Sequence, residues 1–271
     1  MPSVIEVPLV GQPGRNATAM VDVMVNGHGP YHFLVETGAR VIGIAGRLAD
    51  SLRLPRIGGP DTDREFHIDS ITLGGGAFHD MPAEALPFDF PGIDGVLGLP
   101  FYQGLLLTVD YPGHKVRLER DTLPAANGRD ILALSRVADF WGIPINIGGK
   151  AFVGVLDTQN SGSIGIPVSV AGQLTFDGGL RAVGKARGAF GTIDVQGGQL
   201  SGNVVIGKYT IPTPFLTVTP LPPDYPNQPN IGTQVLDNFV VSLDQAHGRL
   251  RLLRSGPDTV TLPSPRRAGG G

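Results

Sequence analysis

The chain contains an internal repeat, and this repeat restricts the possible fold more than any other feature of the sequence. Residues 98–110 (GLPFYQGLLLTVD) align with residues 232–244 (GTQVLDNFVVSLD) without a gap, and their apolar positions coincide. The similarity continues from 115–118 (KVRL) to 249–252 (RLRL). In each copy a strand ends in Asp, a turn with glycine follows, and a second strand alternates basic and apolar residues, which predicts a β-hairpin. Such self-similarity indicates a fold built from two related units.

A third pair of matching segments supports the same division. Ser70–Gly74 (SITLG) resembles Asn203–Gly207 (NVVIG), and another short strand follows each. Chance similarity among β-rich sequences is the alternative, but it does not explain segments that match in the same order. We therefore expect an N-terminal lobe, a turn-rich linker, a C-terminal lobe and a flexible tail, at residues 1–125, 126–139, 140–255 and 256–271, respectively.

The composition is that of a folded, β-rich protein. Gly (40) and Pro (24) are frequent among the 271 residues, but no Gly-X-Y period occurs and 41% of the residues are hydrophobic. This combination indicates many short strands joined by turns rather than disorder. No segment shows a sustained helical period, so the expected fold class is all-β.

Charge and residue types exclude several classes of function. A net charge of −3, with both signs interspersed, carries no electrostatic signature of nucleic-acid binding. The chain has no cysteine, and none of its six histidines has a partner at metal-ligand spacing, so we predict no disulfide, metal or other cofactor. No apolar run is long enough to cross a membrane and no signal peptide is visible, which favours a cytoplasmic protein.

Two short segments look like copies of one active-site loop. They are 33–39 (FLVETGA) and 155–161 (VLDTQNS), and in each an apolar strand leads into an acidic residue, then Thr, then a turn. Two related halves that each supply one carboxylate can build a shared acid–base pair. Glu36 and Asp157 are therefore the candidate catalytic residues.

These motifs, in this order, resemble the aspartic protease superfamily of pepsin and the retropepsins. That family carries a hydrophobic-Asp-Thr/Ser-Gly loop in each lobe, and a later hydrophobic-hydrophobic-Gly strand packs against each loop. Here Val96–Gly98 (VLG) and Asn230–Gly232 (NIG) match these strands. The resemblance covers nearly the whole chain and implies an all-β, bilobal pair of barrels with pseudo-twofold symmetry and a central cleft. Because both lobes lie in one chain, we expect a monomer to form the complete cleft.

The resemblance also implies roles for individual residues. In the family, two aspartates share one proton and activate a water molecule between them, and by position these are Glu36 and Asp157 here. Thr37 and Thr158 correspond to the threonines whose hydroxyls bind the opposite loop. Gly38 keeps the glycine that permits a tight turn and close backbone approach.

Both loops depart from the family pattern. Glu36 stands where the family has Asp, and misplacing a carboxylate by about 1 Å can reduce a rate about a hundredfold. In the second loop, 159–161 (QNS) replaces Gly-Ala-Ser/Thr with an expected insertion, and Asn160 can adopt a left-handed conformation and cap the altered turn. Arg40 follows the first loop, and a contact between its guanidinium and Glu36 would hold that carboxylate ionised.

Further residues are candidates for the lining of the cleft. Tyr102 follows the first hydrophobic-hydrophobic-Gly element, and Phe190 lies in a glycine-rich stretch of the second lobe. The flap that covers the cleft in this family corresponds to about 58–67 in the first lobe and 187–192 in the second. Which of the two acts as the flap stays open.

Three functions are compatible with these residues. The first is an aspartic-peptidase-like hydrolase in which Glu36 and Asp157 act by general acid–base catalysis on a peptide. The second is a repurposed fold in which the same pair protonates or deprotonates a small molecule, as in dehydration, elimination or cyclisation. The third is a non-catalytic binding protein. A purely structural alternative stands beside all three, in which carboxylates in tight turns only accept backbone N–H groups.

Overall fold

The computed structural model describes residues 2–10, 19–58, 64–86, 91–188, 191–220 and 226–263. Within these ranges the chain forms 22 strands and a few short helices, so the predicted all-β fold class is confirmed. None of the helices in these ranges is long and apolar enough to cross a membrane. Phe190, residues 59–63 of the expected first flap and residues 264–271 of the expected tail lie outside the described residues.

Six strands of the first half close into a barrel. The strand order around it is β2-β3-β7-β4-β6-β5. Its elements are β2 (Met20–Val25), β3 (His28–Val35), β4 (Gly43–Ile44), α1 (Gly46–Ser51), β5 (Glu65–Leu73), β6 (Gly76–Ala85) and β7 (Gly95–Leu97), followed by a 3-10 helix (Leu99–Tyr102). Side chains alternate along each strand, as in β2, where Val21 and Val23 are buried on either side of the exposed Asp22.

The second half forms a ten-stranded sheet whose hydrogen-bonded path stays open among the described residues. The order is β15-β16-β19-β14-β20-β13-β12-β17-β18, with β11 paired to β12. Its elements are β11 (Ser135–Val137), β12 (Phe140–Ile147), β13 (Lys150–Leu156), β14 (Ile164–Pro167), α2 (Val168–Ala171), β15 (Phe176–Gly188), β16 (Gly191–Leu200), β17 (Asn203–Ile206), β18 (Tyr209–Pro212), β19 (Phe215–Thr219), β20 (Asn230–Ile231) and α3 (Thr233–Leu236). The long β15–β16 hairpin carries the expected second flap near its tip.

A third sheet joins the two halves, and we call it the joining sheet. Its strand order is β1-β9-β8-β21-β22-β10. Its strands are β1 (Val4–Pro8), β8 (Leu106–Asp110), β9 (Lys115–Glu119), β10 (Ile131–Ala133), β21 (Val240–Asp244) and β22 (Arg249–Leu253). The stretch 126–139, expected as a linker, therefore contributes β10 to this sheet and β11 to the ten-stranded sheet.

The pseudo-twofold axis passes through the centre of the joining sheet. Strands β8 and β21 pair antiparallel, and Thr108 lies opposite Ser242. The Thr108 hydroxyl donates to the Ser242 hydroxyl at 2.9 Å. The sequence repeat aligns the same two positions with each other. A twofold rotation that exchanges the two halves exchanges Thr108 with Ser242. Because these two residues are also paired with each other, the axis passes between them.

The two strands that carry the acidic motifs end in equivalent places. Val35 pairs in parallel with Leu97, and Leu156 pairs in parallel with Ile231. The Glu36 N–H then donates to the Leu97 carbonyl at 3.0 Å, and the Asp157 N–H donates to the Ile231 carbonyl at 3.1 Å. Both loops therefore leave their sheets with the same geometry, and they meet at the axis.

Candidate active site

Hydrogen bonds of two threonines connect the acidic loops of the two halves. The Thr37 backbone N–H donates to Thr158 Oγ1 at 3.1 Å, and the Thr158 hydroxyl donates to the Val35 carbonyl at 2.7 Å. In the opposite direction, the Thr37 hydroxyl donates to the Leu156 carbonyl at 3.3 Å. Both threonines are buried. The structure thus places Thr37 and Thr158 across from each other, each bound to the opposite loop.

The two threonine hydroxyls are expected to contribute unequally to stability. Thr158→Val keeps the side-chain shape but leaves the buried Thr37 N–H and Val35 carbonyl without this partner, so we expect the free energy of unfolding to fall by about 2–4 kcal/mol. Thr37→Val removes one longer hydrogen bond and should lower it by about 1 kcal/mol. Urea unfolding of both variants measures the difference. Equal effects, or a larger effect of Thr37→Val, would contradict this description of the contact.

The carboxyl groups of Glu36 and Asp157 converge on Gly38. A Cβ atom at Gly38 would lie 2.9 Å from Glu36 Oε1 and 3.5 Å from both Cγ and Oδ1 of Asp157. Both acidic side chains therefore approach one point at the base of the first loop. A side chain at position 38 would therefore displace the Glu36 carboxyl from its present position.

Glu36 occupies an environment that favours its protonated form. Its side chain is buried, and Oε1 accepts the Gly38 N–H at 2.6 Å and lies 3.4 Å from Thr158 Oγ1. Burial raises the pKa of Glu36 well above its usual range, and the charge of nearby Asp157 raises this pKa further. The hydrogen bonds from Gly38 and Thr158 oppose the shift without cancelling it.

The raised pKa of Glu36 predicts a stability that falls with increasing pH. Between the ordinary glutamate pKa and the raised value, the folded chain holds a proton that the unfolded chain has released, so this contribution is lost as the pH rises through the folded-state pKa. Relative to Glu36→Gln, which does not titrate, the wild-type free energy of unfolding should fall by at most about 1.4 kcal/mol per pH unit in this window. Urea unfolding of both proteins from acidic to neutral pH measures this difference. A difference that is independent of pH would contradict the assignment.

Asp157 has different surroundings from Glu36. It is only partly buried, and its carboxylate accepts three N–H groups. Oδ1 accepts the backbone N–H groups of Gln159 and Asn160 at 2.9 Å and 3.0 Å, and Oδ2 accepts Nδ2 of Asn230 at 2.7 Å. An ionised carboxylate can only accept hydrogen bonds, so this set of donors suits a charged Asp157.

Asn160 organises the altered second loop. Its side-chain Oδ1 accepts the Gly162 N–H at 2.8 Å, and its carbonyl accepts the Thr233 N–H at 2.8 Å. Asn160 is absent from the positive-φ residues of the described chain, so it caps the turn through its side chain without a left-handed backbone. Gly232 packs against this loop, since a Cβ there would lie 2.5 Å from the Asn160 carbonyl oxygen.

Two buried tyrosines lie near the acidic pair. Tyr102 is fully buried, its hydroxyl donates to the Leu97 carbonyl at 2.9 Å, and so it is a core residue rather than part of the cleft lining expected from the sequence. The second tyrosine, Tyr111, has a buried hydroxyl with no hydrogen-bond partner among the described residues. Burial raises the pKa of Tyr111 well above its usual range, and the charges of Asp237, Glu36 and Asp157 raise this pKa further. Tyr111 lines a small cavity of about 10 Å³ between the two threonines and apolar side chains of the joining sheet.

Arg40 does not contact Glu36. Its guanidinium donates to the Asp139 carboxylate at 2.5 Å and lies 5.7 Å from the centroid of the Phe140 ring. The contact with Glu36 that the sequence left possible, which would hold that carboxylate ionised, is therefore absent from the described contacts. The Arg40–Asp139 pair is exposed, so its effect on stability is small.

Two residues near the pair had no role in the sequence-based prediction. Asn230 was matched only as part of the strand Asn230–Gly232. The sequence did contain a signal for it, because a polar amide stands where the first lobe has the apolar Val96. Tyr111 carried no such signal, because only its packing brings it below the site. No group of three or more His, Asp or Glu side chains in the described part of the chain is arranged to hold a metal ion.

Comparison with known proteins found two similarities. Residues 21–101, which include the first acidic loop and Val96–Gly98, match the model of a family described as aspartyl protease. A retropepsin-like aspartic protease from Rickettsia conorii is similar to 42% of this chain and 88% of its own, with 17% sequence identity and a TM-score of 0.33. No curated protein matches the chain. The similarity to the aspartyl protease family is thus carried by residues 21–101.

Proposed function

We propose that this protein hydrolyses peptides with Glu36 and Asp157 as a shared acid–base pair, in a cleft between the two halves. The observation that carries the proposal is the convergence of the two carboxyls on Gly38, at the point where the threonines hold the two loops together. One chain supplies both carboxyls, so a single copy suffices for the reaction.

The different surroundings of the two carboxyls suggest which one acts as the base and which one acts as the acid. Asp157, as the carboxylate, takes a proton from a water molecule while the water oxygen attacks the scissile carbonyl carbon. Glu36, as the carboxylic acid, gives its proton to the carbonyl oxygen, which forms a gem-diol. Asp157 then donates its proton to the amide nitrogen as the C–N bond breaks, and Glu36 recovers a proton from a gem-diol hydroxyl. Both groups end in their starting states.

A glutamate in place of aspartate is compatible with this chemistry because Glu36 keeps its contacts. Its Oε1 accepts the N–H of Gly38, two residues further along, and Asp157 Oδ1 accepts the N–H of Gln159 at the equivalent position. The longer side chain therefore still folds back onto its own loop. A Glu36–Arg40 pair would have favoured the binding-protein alternative, and Arg40 is bound to Asp139 instead.

The proposal is tested with a library of internally quenched peptides between about pH 3 and pH 7, the range in which a carboxyl pair can exchange protons. Wild type and Asp157→Asn are purified in parallel, so that a contaminating peptidase would cleave in both samples. We expect cleavage by the wild type, unaffected by a metal chelator, and none by the variant. No cleavage by the wild type, or equal cleavage in both samples, would overturn the proposal.

Proton transfer to a small molecule is the second candidate, and the hydrogen bonds of Asp157 favour it. Three of the roughly four acceptor sites of this carboxylate are occupied, which leaves little room to orient a water molecule. Simple proton transfer needs only one free site, and it does not need a further hydrogen bond to hold a water molecule in line with a carbonyl carbon. Incubation with small carbonyl and hydroxy compounds in D2O, followed by NMR, would reveal deuterium incorporated at carbon. Deuterium incorporation without peptide cleavage would favour this candidate over hydrolysis.

A further inference from the structure

The site breaks its pseudo-twofold symmetry at one side chain. Val155 pairs with Asn230 on β20, and at the equivalent place in the first half Leu34 pairs with Val96 on β7. Val96 is apolar and buried, whereas Asn230 is partly buried and donates its Nδ2–H to Asp157 Oδ2 at 2.7 Å. Only the second half therefore brings a side-chain amide to its own carboxylate from this strand.

The direction of this hydrogen bond is set by a backbone group. The Gly162 N–H can only donate, so Asn160 presents its oxygen to it at 2.8 Å. Asn160 Nδ2 must then face Asn230, and it donates to Asn230 Oδ1 at 2.7 Å. Asn230 consequently turns its own Nδ2 toward Asp157. We call this directed chain, from Gly162 through Asn160 and Asn230 to Asp157, the amide relay.

The amide relay acts on one carboxyl and leaves the other untouched. Asp157 accepts three N–H groups, one of them from the relay, and it keeps contact with solvent. Glu36 accepts a single backbone N–H, and its side chain is buried. In a coupled pair that shares one proton, the better-solvated and better hydrogen-bonded member keeps the charge.

We infer that Asn230, held by Asn160, is a positioning residue that reserves Asp157 as the ionised, proton-accepting member of the pair and leaves the proton on Glu36. The inference rests on the proposed function for its catalytic meaning, but the relay itself is a property of the resting protein. Asn230 needs no contact with substrate to exert this effect, since it acts through the Asp157 carboxylate.

The variant Asn230→Val tests the inference, because it installs the side chain that the first half carries at the same position. We expect the acidic limb of the kcat/KM profile, measured on the quenched peptide that the wild type cleaves fastest, to move to higher pH by about one unit. The 13C titration of the Asp157 carboxyl should move in the same direction by about the same amount. Val96→Ala, which changes the equivalent site of the first half, should leave both readouts in place.

A second variant covers the case in which Asn230→Val does not fold. Asn230→Asp has nearly the same shape as wild type but cannot donate when ionised, so it should move both readouts to higher pH by at least as much. Circular dichroism establishes that each variant is folded. If the acidic limb of the kcat/KM profile and the 13C titration of Asp157 both stay at the wild-type pH in a folded variant, the inference is overturned.

The two readouts separate the inference from the proposed function. If the wild type cleaves no peptide but the Asp157 resonance moves in Asn230→Val, the relay is supported and peptide hydrolysis is not. If peptides are cleaved and neither readout moves, hydrolysis is supported and the relay is overturned. A loss of kcat/KM with an unmoved acidic limb would also overturn it, since a purely structural contact predicts that pattern.

Discussion

Asp157→Asn and Glu36→Gln should each reduce kcat/KM for peptide cleavage by about a thousandfold or more. General acid–base groups typically contribute about 10²–10⁴-fold, and here each carboxyl handles a proton in both halves of the reaction. Asparagine and glutamine keep the size of the side chains and can still accept the N–H groups of Gln159 and Gly38, so both variants should fold. Steady-state kinetics on a quenched peptide measures the loss.

The two substitutions are not expected to add. When two groups act as one unit, removing either one forfeits most of what both contribute, so the double variant should be about as slow as each single variant. Asp69→Asn is the matched control, because it removes one carboxylate that is exposed on β5 and has no contact with the pair in the described structure. Full activity of either single variant would contradict the assigned roles.

Gly98→Ala and Gly232→Ala should each lower the free energy of unfolding by about 3 kcal/mol or more, the upper end of what overpacking costs. A Cβ at position 98 would lie 2.1 Å from the Val41 carbonyl oxygen, and one at position 232 would lie 2.5 Å from the carbonyl oxygens of Asn160 and Gly162. These contacts are with backbone, which cannot turn away as a side chain can. Either substitution must push the neighbouring acidic loop out of place.

A glycine in open space provides the control for this prediction. Gly46 begins α1, and a Cβ there would meet nothing within 4 Å. Gly46→Ala should therefore leave stability unchanged or raise it by about 0.4–1 kcal/mol, because alanine restricts the unfolded chain. Urea unfolding of the three variants measures the contrast. A loss at position 98 or 232 no larger than the change at position 46 would contradict the packing described for these loops.

The overall symmetry could be predicted from the sequence because the two halves contain similar segments in the same order. The gapless alignment of 98–110 with 232–244 predicts two equivalent hairpins, and the structure pairs β8 with β21 about the position where Thr108 meets Ser242. The two acidic motifs could be found for the same reason. Local patterns that recur in one order determine topology, since each strand must bury the same face in both copies.

Contacts between distant side chains could not be predicted in this way. Arg40 meets Asp139, which lies 99 positions away, and nothing in its local sequence distinguishes that partner from Glu36. Tyr102 follows Gly98 on the 3-10 helix, and the tight turn directs its hydroxyl inward to the Leu97 carbonyl. The amide relay needs Asn160 and Asn230, 70 positions apart, to approach through the fold. Each of these outcomes depends on three-dimensional packing rather than on residue type.

The most direct test of the central claim is the 13C titration of the Glu36 carboxyl in the wild type and in Asp157→Asn. If the two halves deliver their acids to one shared site, the Glu36 resonance should titrate well above the usual glutamate range in the wild type, and its pKa should fall in the variant because the charge of Asp157 is gone. Burial of Glu36 is retained in both proteins, so the difference between them isolates the interaction of the pair. A Glu36 titration that is unchanged by Asp157→Asn would show that the two carboxyls do not share a proton.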